Sequence, residues 1–215
     1  VRLTQSSLNL WQAITPNTKT YNFPILQSDN QSPIQPEEIR LNLNDEFISY
    51  EVQLLINFKQ RDFDLPPGSN ETNIYLTYAP MELNGAFRLL NALYDGNMKI
   101  AVNNITRYEN WDLLKHMAIP RTQFKSSSAG LPAPTIPNIV FNQDGAVKMQ
   151  PMITFTGAKK NEVTINLVQS LPAGLSGTWS QNVAVPGGAQ YAIDSKNLVL
   201  VFRGMLGQNA AVFQK

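Results

Sequence analysis

The sequence predicts an all-β protein built in two parts, and three observations lead to this prediction. Residues 46–59 alternate between apolar and polar side chains over about twelve positions, which is the pattern of a strand with one buried face. Shorter runs rich in β-branched and aromatic residues recur in both halves of the chain. Between the halves, residues 126–137 are rich first in serine and then in proline, which favours a linker over a central strand.

The predicted strands follow from these alternating runs. Ile39 to Leu43 alternates like Glu46 to Lys59, and Asn44-Asp45 between them predicts a hairpin turn. Met98 to Val102 alternates until the phase slips at Asn103-Asn104, which is typical of a β-bulge. Further strands are predicted at Asn73–Tyr78, Val147–Met149, Ile153–Thr156, Val163–Leu167, Tyr191–Ile193 and Leu198–Phe202. The last run is continuously apolar, which predicts a central strand buried on both faces.

One helix is predicted in the first half of the chain. Asn84 is a suitable N-cap, apolar residues from Phe87 to Tyr94 recur at helical spacing, and Gly96 suits the position after the helix end. A shorter helical turn is predicted from Asp112 to Met117. The stretch up to Trp11 stays open between an arm, a strand and a helix.

The linker predicts a first domain of residues 1–125, including an N-terminal arm, and a second domain of residues 138–215. A short internal echo supports this division, because Glu38 to Leu43 and Glu162 to Leu167 share one order of residue types. Six alternating residues also match by chance in β proteins, so duplication and coincidence both remain open.

The composition favours a structural role. Charged residues make up 15% of the 215-residue chain, below the roughly 25% of ordinary soluble domains. A weakly charged, amide-rich surface suits a protein that packs against its own copies, although a neutral β protein without assembly explains it equally well. The net charge is +1 and the 17 lysines and arginines are scattered, which argues against specific nucleic-acid binding.

The sequence predicts no enzyme, and no catalytic, cofactor-binding or metal-binding residue. His116 is the sole histidine and cysteine is lacking, so neither a histidine-based triad nor a zinc site is indicated. The apolar residues that follow His116 favour a half-buried structural role. Glu37 and Glu38 are adjacent on an extended segment and are expected to point to opposite faces. Asp62 and Asp64 allow a calcium site, although a solvated loop is the default.

The three tryptophans leave two interpretations open. Trp11, Trp111 and Trp179 would make a sugar-stacking platform if the fold brought their rings together. Nothing in their spacing indicates that they meet, so core or interface packing is the favoured interpretation.

Two passages resemble a known family. The first runs from Leu93 to Asp112 and continues at Ile119–Gln123, and the second comprises Pro151–Gly157, Asn161–Leu167 and Val201–Leu206. Together they resemble the double-jelly-roll major capsid proteins of small, tailless, membrane-containing icosahedral bacteriophages. Those of the single-stranded DNA phages of the Finnlake virus type are the most similar.

This resemblance implies two jelly-roll β-barrels in tandem, with one short helix in the first. Three such chains would form a homotrimer with a pseudo-hexagonal outline, and these trimers would tile an icosahedral shell. The implied partners are copies of the chain, other capsid proteins such as a penton, and an internal lipid membrane reached through the N-terminal segment. The implied location is the virion, with synthesis in the host cytoplasm.

Two alternatives stay open beside the capsid interpretation. The second half is short for a complete barrel, which leaves a single jelly roll with embellishments as an alternative fold. The alternative function is a phage receptor-binding or carbohydrate-binding β-sandwich. That function predicts a cluster of exposed aromatic residues and an ion site.

Overall fold

A computed structural model describes residues 3–29, 36–62, 66, 70–76, 91–117, 145–171 and 191–210. Within these ranges the chain is mostly β-strand, and its strands form two antiparallel sheets. Buried side chains from both sheets belong to one hydrophobic core. The predicted all-β fold is confirmed.

The first sheet has five strands. Across the sheet they are β1 (Leu3–Ala13), β9 (Tyr191–Gly207), β3 (Glu46–Asp62), and then β4 (Thr72–Leu76) and β7 (Ala146–Thr156). The last two share one edge of β3, because β7 pairs with its first half and β4 with its second half. The long strand β3 therefore has a neighbour on both sides along most of its length.

The second sheet has four strands. Across the sheet they are β2 (Thr20–Phe23), β8 (Asn161–Asn166), β5 (Asn97–Val102) and β6 (Ile105–Asp112). A 3-10 helix, Leu113–His116, follows β6, and the carboxylate of its N-cap Asp112 accepts a hydrogen bond from the Leu114 N–H at 2.9 Å. This helix confirms the predicted helical turn. Of the longer predicted helix, residues 91–94 are helical and residues 84–90 lie outside the described ranges.

The two sheets interleave strands from both halves of the chain. Strand β9 lies between β1 and β3, and β8 lies between β2 and β5. With β4 set aside, each sheet has four antiparallel strands, and side chains from both sheets form a single core. The described strands therefore do not divide into a barrel of residues 1–125 and a barrel of residues 138–215, and the double jelly roll is not confirmed.

The predicted linker, residues 126–137, lies outside the described ranges. Serine- and proline-rich composition is a local property, so it does not by itself decide the number of domains. It favours a loop, but a loop inside one sandwich and a linker between two barrels have the same composition. Pairing between strands far apart in sequence decides which of the two forms.

The predicted hairpin before β3 is wrong. Ile39 and Leu41 make only isolated bridges, to Asn9 and Leu26 respectively. The echo of this segment, from Glu162, belongs to strand β8 of the other sheet. The two similar sequences thus occupy different structural positions, which gives no support to a duplication.

The predicted bulge at Asn103-Asn104 is a turn instead. The two residues have φ values of 55° and 61° and join the paired strands β5 and β6. Two consecutive left-handed residues make the type I′ turn that favours asparagine in two-residue hairpins. Gly96 also differs from its predicted role, because a Cβ there would lie 2.7 Å from the Asn166 carbonyl oxygen. Close packing, and not a left-handed helix cap, requires glycine at this position.

The core-facing side of β3 changes phase once. Val52, Leu54, Ile56 and Phe58 are buried as the alternation predicts, but Gln53, Leu55 and Asn57 on the opposite face are buried too, so the prediction of a single buried face is wrong here. Towards the start of the strand Phe47 is buried in place of Ile48. The pairing register with β7 and β9 shifts between Ser49 and Glu51, which is a bulge-like irregularity. One extra residue moves the following side chains to the opposite face.

The N-terminal segment is an edge strand and not an arm. Strand β1 pairs with β9 along its whole length, from Leu3 opposite Gly207 to Ala13 opposite Asn197. Leu8 and Leu10 are part of the core. Their side chains are therefore used inside the sandwich.

Candidate functional site

A groove of about 610 Å³ lies on the outer face of the first sheet. Its floor is apolar, with Val199 and Val201 on β9 and Leu55 on β3. Trp11 on β1 and Tyr75 on β4 stand at its sides, and their ring centroids are 6.2 Å apart in an edge-to-face contact. Because β9 and β3 separate these two strands, the rings reach across the floor, which explains why Val199 is only 2% exposed on an outer face.

One end of this groove is polar and charged. Arg203 on β9 pairs with Glu51 on β3, and its second terminal nitrogen donates to Gln53 Oε1 at 2.8 Å. Each charge of this group is thus balanced by a neighbour. Such pairs fix the positions of partly exposed side chains and add little net stability.

A row of amide side chains crosses the same face of the sheet. Asn197 Nδ2 donates to Asn57 Oδ1 at 3.5 Å, and Asn57 Nδ2 donates to Asn73 Oδ1 at 3.1 Å. Asn73 Nδ2 in turn donates to Glu37 Oε1 at 3.0 Å. This row spans β9, β3 and β4, so it ties the position of the Glu37 carboxylate to the sheet.

Two oxygens of residues that line the groove have no hydrogen-bond partner within the described ranges. They are Asn9 Oδ1 and Glu37 Oε2, and both are buried. The other oxygen of Glu37 accepts from Asn73 and lies 3.8 Å from Lys59 Nζ. Burial raises the pKa of the nearby Tyr75 hydroxyl, and the negative charge of Glu37 adds to this effect. Buried acceptors without a donor are unfavourable, so the two oxygens mark a place suited to a ligand that donates hydrogen bonds.

The adjacent Glu38 has a different environment. Arg40 Nη2 lies 3.0 Å from each of the Glu38 carboxylate oxygens, and Oε1 also accepts from the Trp11 backbone N–H at 3.1 Å. The two charged side chains are 2% and 3% exposed. The prediction that Glu37 and Glu38 do not converge is confirmed. The buried pair was missed, although Glu38 and Arg40 are two residues apart in an extended segment and so share a face.

His116, at the end of the 3-10 helix that follows β6, forms a second buried polar cluster. Trp111 Nε1 donates to His116 Nε2 at 2.9 Å, and His116 Nδ1 lies 2.9 Å from the Gly145 carbonyl oxygen. Since Nε2 accepts, the proton is on Nδ1 and is donated to Gly145. Burial lowers the pKa of His116 to about 4, so the ring is neutral near pH 7. The predicted structural role agrees with this geometry, but the residue is fully buried instead of half-buried.

The remaining predicted site residues do not come together in the described ranges. Trp11 and Trp111 are 5% and 7% exposed and belong to separate clusters, so these two make no stacking platform. Trp179 and Asp64 lie outside the described residues, and the side chain of Asp62 is not described. Within the described part of the chain, no group of three or more acidic or histidine side chains is placed to hold a metal ion. Among the same residues, no helix has the length and hydropathy that a membrane crossing requires.

No protein-family model, curated protein or solved structure matches the chain. A functional conclusion therefore rests on the fold, the surface and the sequence resemblance.

Proposed function

We propose that the chain is a structural protein of a virion shell, a major capsid protein that assembles with copies of itself. The observation that carries the proposal is the strand order of the two sheets, which is that of a jelly roll. Jelly rolls, in which two sheets of antiparallel strands pack on each other, recur in capsid and lectin domains. The sequence resemblance to phage capsid proteins favours the capsid over the lectin.

The side of the sandwich where β6 and β7 meet is the proposed contact surface. Tyr108 of β6 donates to the Pro151 carbonyl of β7 at 2.7 Å, so these two strands lie side by side. Ile105 on β6 is 54% exposed and Met152 on β7 is 63% exposed. Apolar side chains beside sheet edges are suited to burial against another copy of the chain.

The low charge of the chain supports assembly at high local concentration. With 15% charged residues and a net charge of +1, copies repel one another weakly as they approach. Apolar contacts at the β6–β7 side then need to overcome little electrostatic repulsion.

The number of lobes in the proposed capsomer follows from the barrel count. A trimer with a pseudo-hexagonal outline requires two barrels in each chain, whereas the described strands belong to a single sandwich. We therefore propose a capsomer in which each chain contributes one jelly roll, so that a homotrimer has three lobes. Lipid contact through the N-terminal segment is not part of the proposal, because Leu8, Leu10 and Trp11 are buried within the chain.

The alternative, a receptor- or carbohydrate-binding sandwich, shares the fold, but its predicted cluster of exposed aromatic residues is not found within the described ranges. The large apolar side chains that are exposed within the described ranges include no aromatic ring. They are Leu3, Ile39, Leu43, Ile105, Leu114, Met152 and Val168. These exposed aliphatic side chains, which lie outside the groove of the first sheet, favour packing against another protein.

Size-exclusion chromatography with light scattering tests the proposed assembly. The purified full chain is expected to form trimers or larger oligomers, and Met152→Lys is expected to shift it towards monomers without lowering its melting temperature. Val168→Lys is the matched control, because Val168 is 64% exposed in the loop after β8, away from the β6–β7 side. A chain that stays monomeric at all concentrations and salt levels would contradict the proposal.

A further inference from the structure

We propose that the groove on the outer face of the first sheet binds a short neutral saccharide through Asn9 and Glu37. This inference does not depend on the shell function, since a groove on a sandwich face is compatible with a capsid protein or with any other role. It rests on the unpaired oxygens, on how one of them is held, and on the charge and shape of the groove.

The two unpaired oxygens define what the ligand has to supply. Asn9 Oδ1 and Glu37 Oε2 both accept hydrogen bonds, and both are buried without a donor in the described part of the chain. A ligand that presents hydroxyl groups supplies such donors.

The Glu37 carboxylate is positioned before any ligand arrives. Its Oε1 accepts from Asn73 at 3.0 Å, and Asn73 is the end of the amide row from Asn197 through Asn57. Oε1 is therefore engaged, while Oε2 has no donor in the described part of the chain. A binding group that is already held in place loses less conformational entropy when the ligand binds.

The charge of the groove favours a neutral ligand over an ionic one. Its lining contains one acidic side chain, Glu37, and one basic side chain, Arg203. Glu37 lies near Lys59, and Arg203 pairs with Glu51, so neither charge is left for an ionic partner. Hydroxyl groups donate to the two oxygens without adding a charge that the groove would have to balance.

The shape and floor of the groove suit a sugar ring. A volume of about 610 Å³ lies within the usual range of small-molecule sites. The half-buried Val201 and Tyr75 offer apolar surface to the C–H face of a pyranose, whereas Val199 and Leu55 are buried in the floor beneath. The combination of an apolar floor and acceptors at the side matches the alternation of C–H and O–H groups on a saccharide.

Saturation-transfer NMR on the full chain tests this inference directly. The probes are glucose, galactose, N-acetylglucosamine and their short oligomers, each at up to about 10 mM, since weak single-site ligands bind in the millimolar range. At least one of these saccharides is expected to bind saturably. Asn9→Leu and Glu37→Gln are each expected to weaken that binding by about tenfold or more, the effect of losing roughly 1.4 kcal/mol.

Two comparisons make the test decisive. Thr154→Val, an exposed change on β7 outside the groove, is the control and is expected to bind the saccharide as the wild type does. Circular dichroism with thermal melting shows that each variant is folded. The proposal is overturned if no saccharide in the panel binds, or if Asn9→Leu leaves binding unchanged. Arginine amide, a cationic hydrogen-bond donor, tests the preference for a neutral ligand. The proposal is also overturned if arginine amide binds in the groove and the sugars do not.

Discussion

Glu37 and Glu38 are neighbours in sequence, yet their carboxylates differ in their hydrogen-bond partners. Glu38 is buried with Arg40 and the Trp11 backbone N–H, so both of its oxygens have donors. Glu37 turns to the groove on the outer face of the first sheet, where one oxygen has a donor and the other has none in the described part of the chain. Burial of a polar group therefore does not by itself separate a structural role from a binding role, whereas the state of its hydrogen bonds does.

His116 belongs with Glu38 in this comparison. Both of its ring nitrogens have partners, Trp111 and Gly145, and its pKa is lowered because the ring is buried. Fully partnered groups of this kind hold the fold together and leave nothing for a ligand. Variants at Arg40, His116 and Asn9 therefore separate groups that stabilise the fold from a group that has an unpaired acceptor.

The largest effect is expected from breaking the Glu38–Arg40 pair. Arg40→Leu leaves the Glu38 carboxylate buried without its counter-charge, and such changes destabilise a protein by about 3 to 5 kcal/mol. Urea denaturation measures the change in the free energy of unfolding. The double variant Glu38→Leu/Arg40→Leu is the control and is expected to recover part of the loss, because no unpaired charge remains. Equal stability of Arg40→Leu and the wild type would show that the pair does not hold the fold.

The next effect is the pH dependence that comes from His116. The pKa of the ring is about 4 in the folded chain, below its ordinary value of 6.5. Between these two values the unfolded chain binds the proton more readily, so stability is complete above pH 6.5 and falls as the pH drops towards 4. The full loss amounts to roughly 3 kcal/mol.

Denaturation midpoints at pH 7.5, 6 and 5 measure this loss. His116→Gln is the matched variant, since it lacks the titrating group, and it is expected to show a smaller decrease over the same interval. A wild-type midpoint that rises or stays constant as the pH falls from 6.5 to 5 would contradict the neutral, buried imidazole.

The smallest effect on stability is expected at Asn9, whose side-chain oxygen has no hydrogen-bond partner in the described part of the chain. Asn9→Leu removes a buried acceptor that has no partner, so the free energy of unfolding is expected to stay within about 0.5 kcal/mol of the wild type or to rise. Urea denaturation measures it beside Arg40→Leu. A loss as large as that of Arg40→Leu would mean that Asn9 is a structural group like Glu38. The distinction between fully hydrogen-bonded groups and groups with an unpaired oxygen would then not hold.

The sequence predicts local features of this fold well. The alternation from Val52 to Phe58 identifies a strand and its core-facing side, but not the burial of Gln53 and Asn57 on the other side. The apolar run around Leu200 identifies a central strand. The alternation fails near Phe47 because one extra residue at the bulge reverses the faces, and residue types do not reveal such an insertion. The Glu38–Arg40 pair could have been predicted from the sequence, because residues two apart on an extended segment share a face.

The domain count and the groove depend on contacts between distant segments. Leu3 pairs opposite Gly207 at the other end of the chain, and no local pattern indicates this pairing. Asn9 and Glu37 likewise meet at one groove because the chain before β3 bridges to β1 at Ile39. Composition and periodicity report on single segments, so they miss sites that strand order creates.

Electron cryo-microscopy of the assembled full chain tests the central claim most directly. We expect closed, symmetric particles or capsomers in which every chain contributes one jelly roll, with the side formed by β6 and β7 in contact with a neighbouring copy. Single, unassembled sandwiches under all conditions would contradict the proposed shell function. Two barrels in each chain would contradict the single jelly roll.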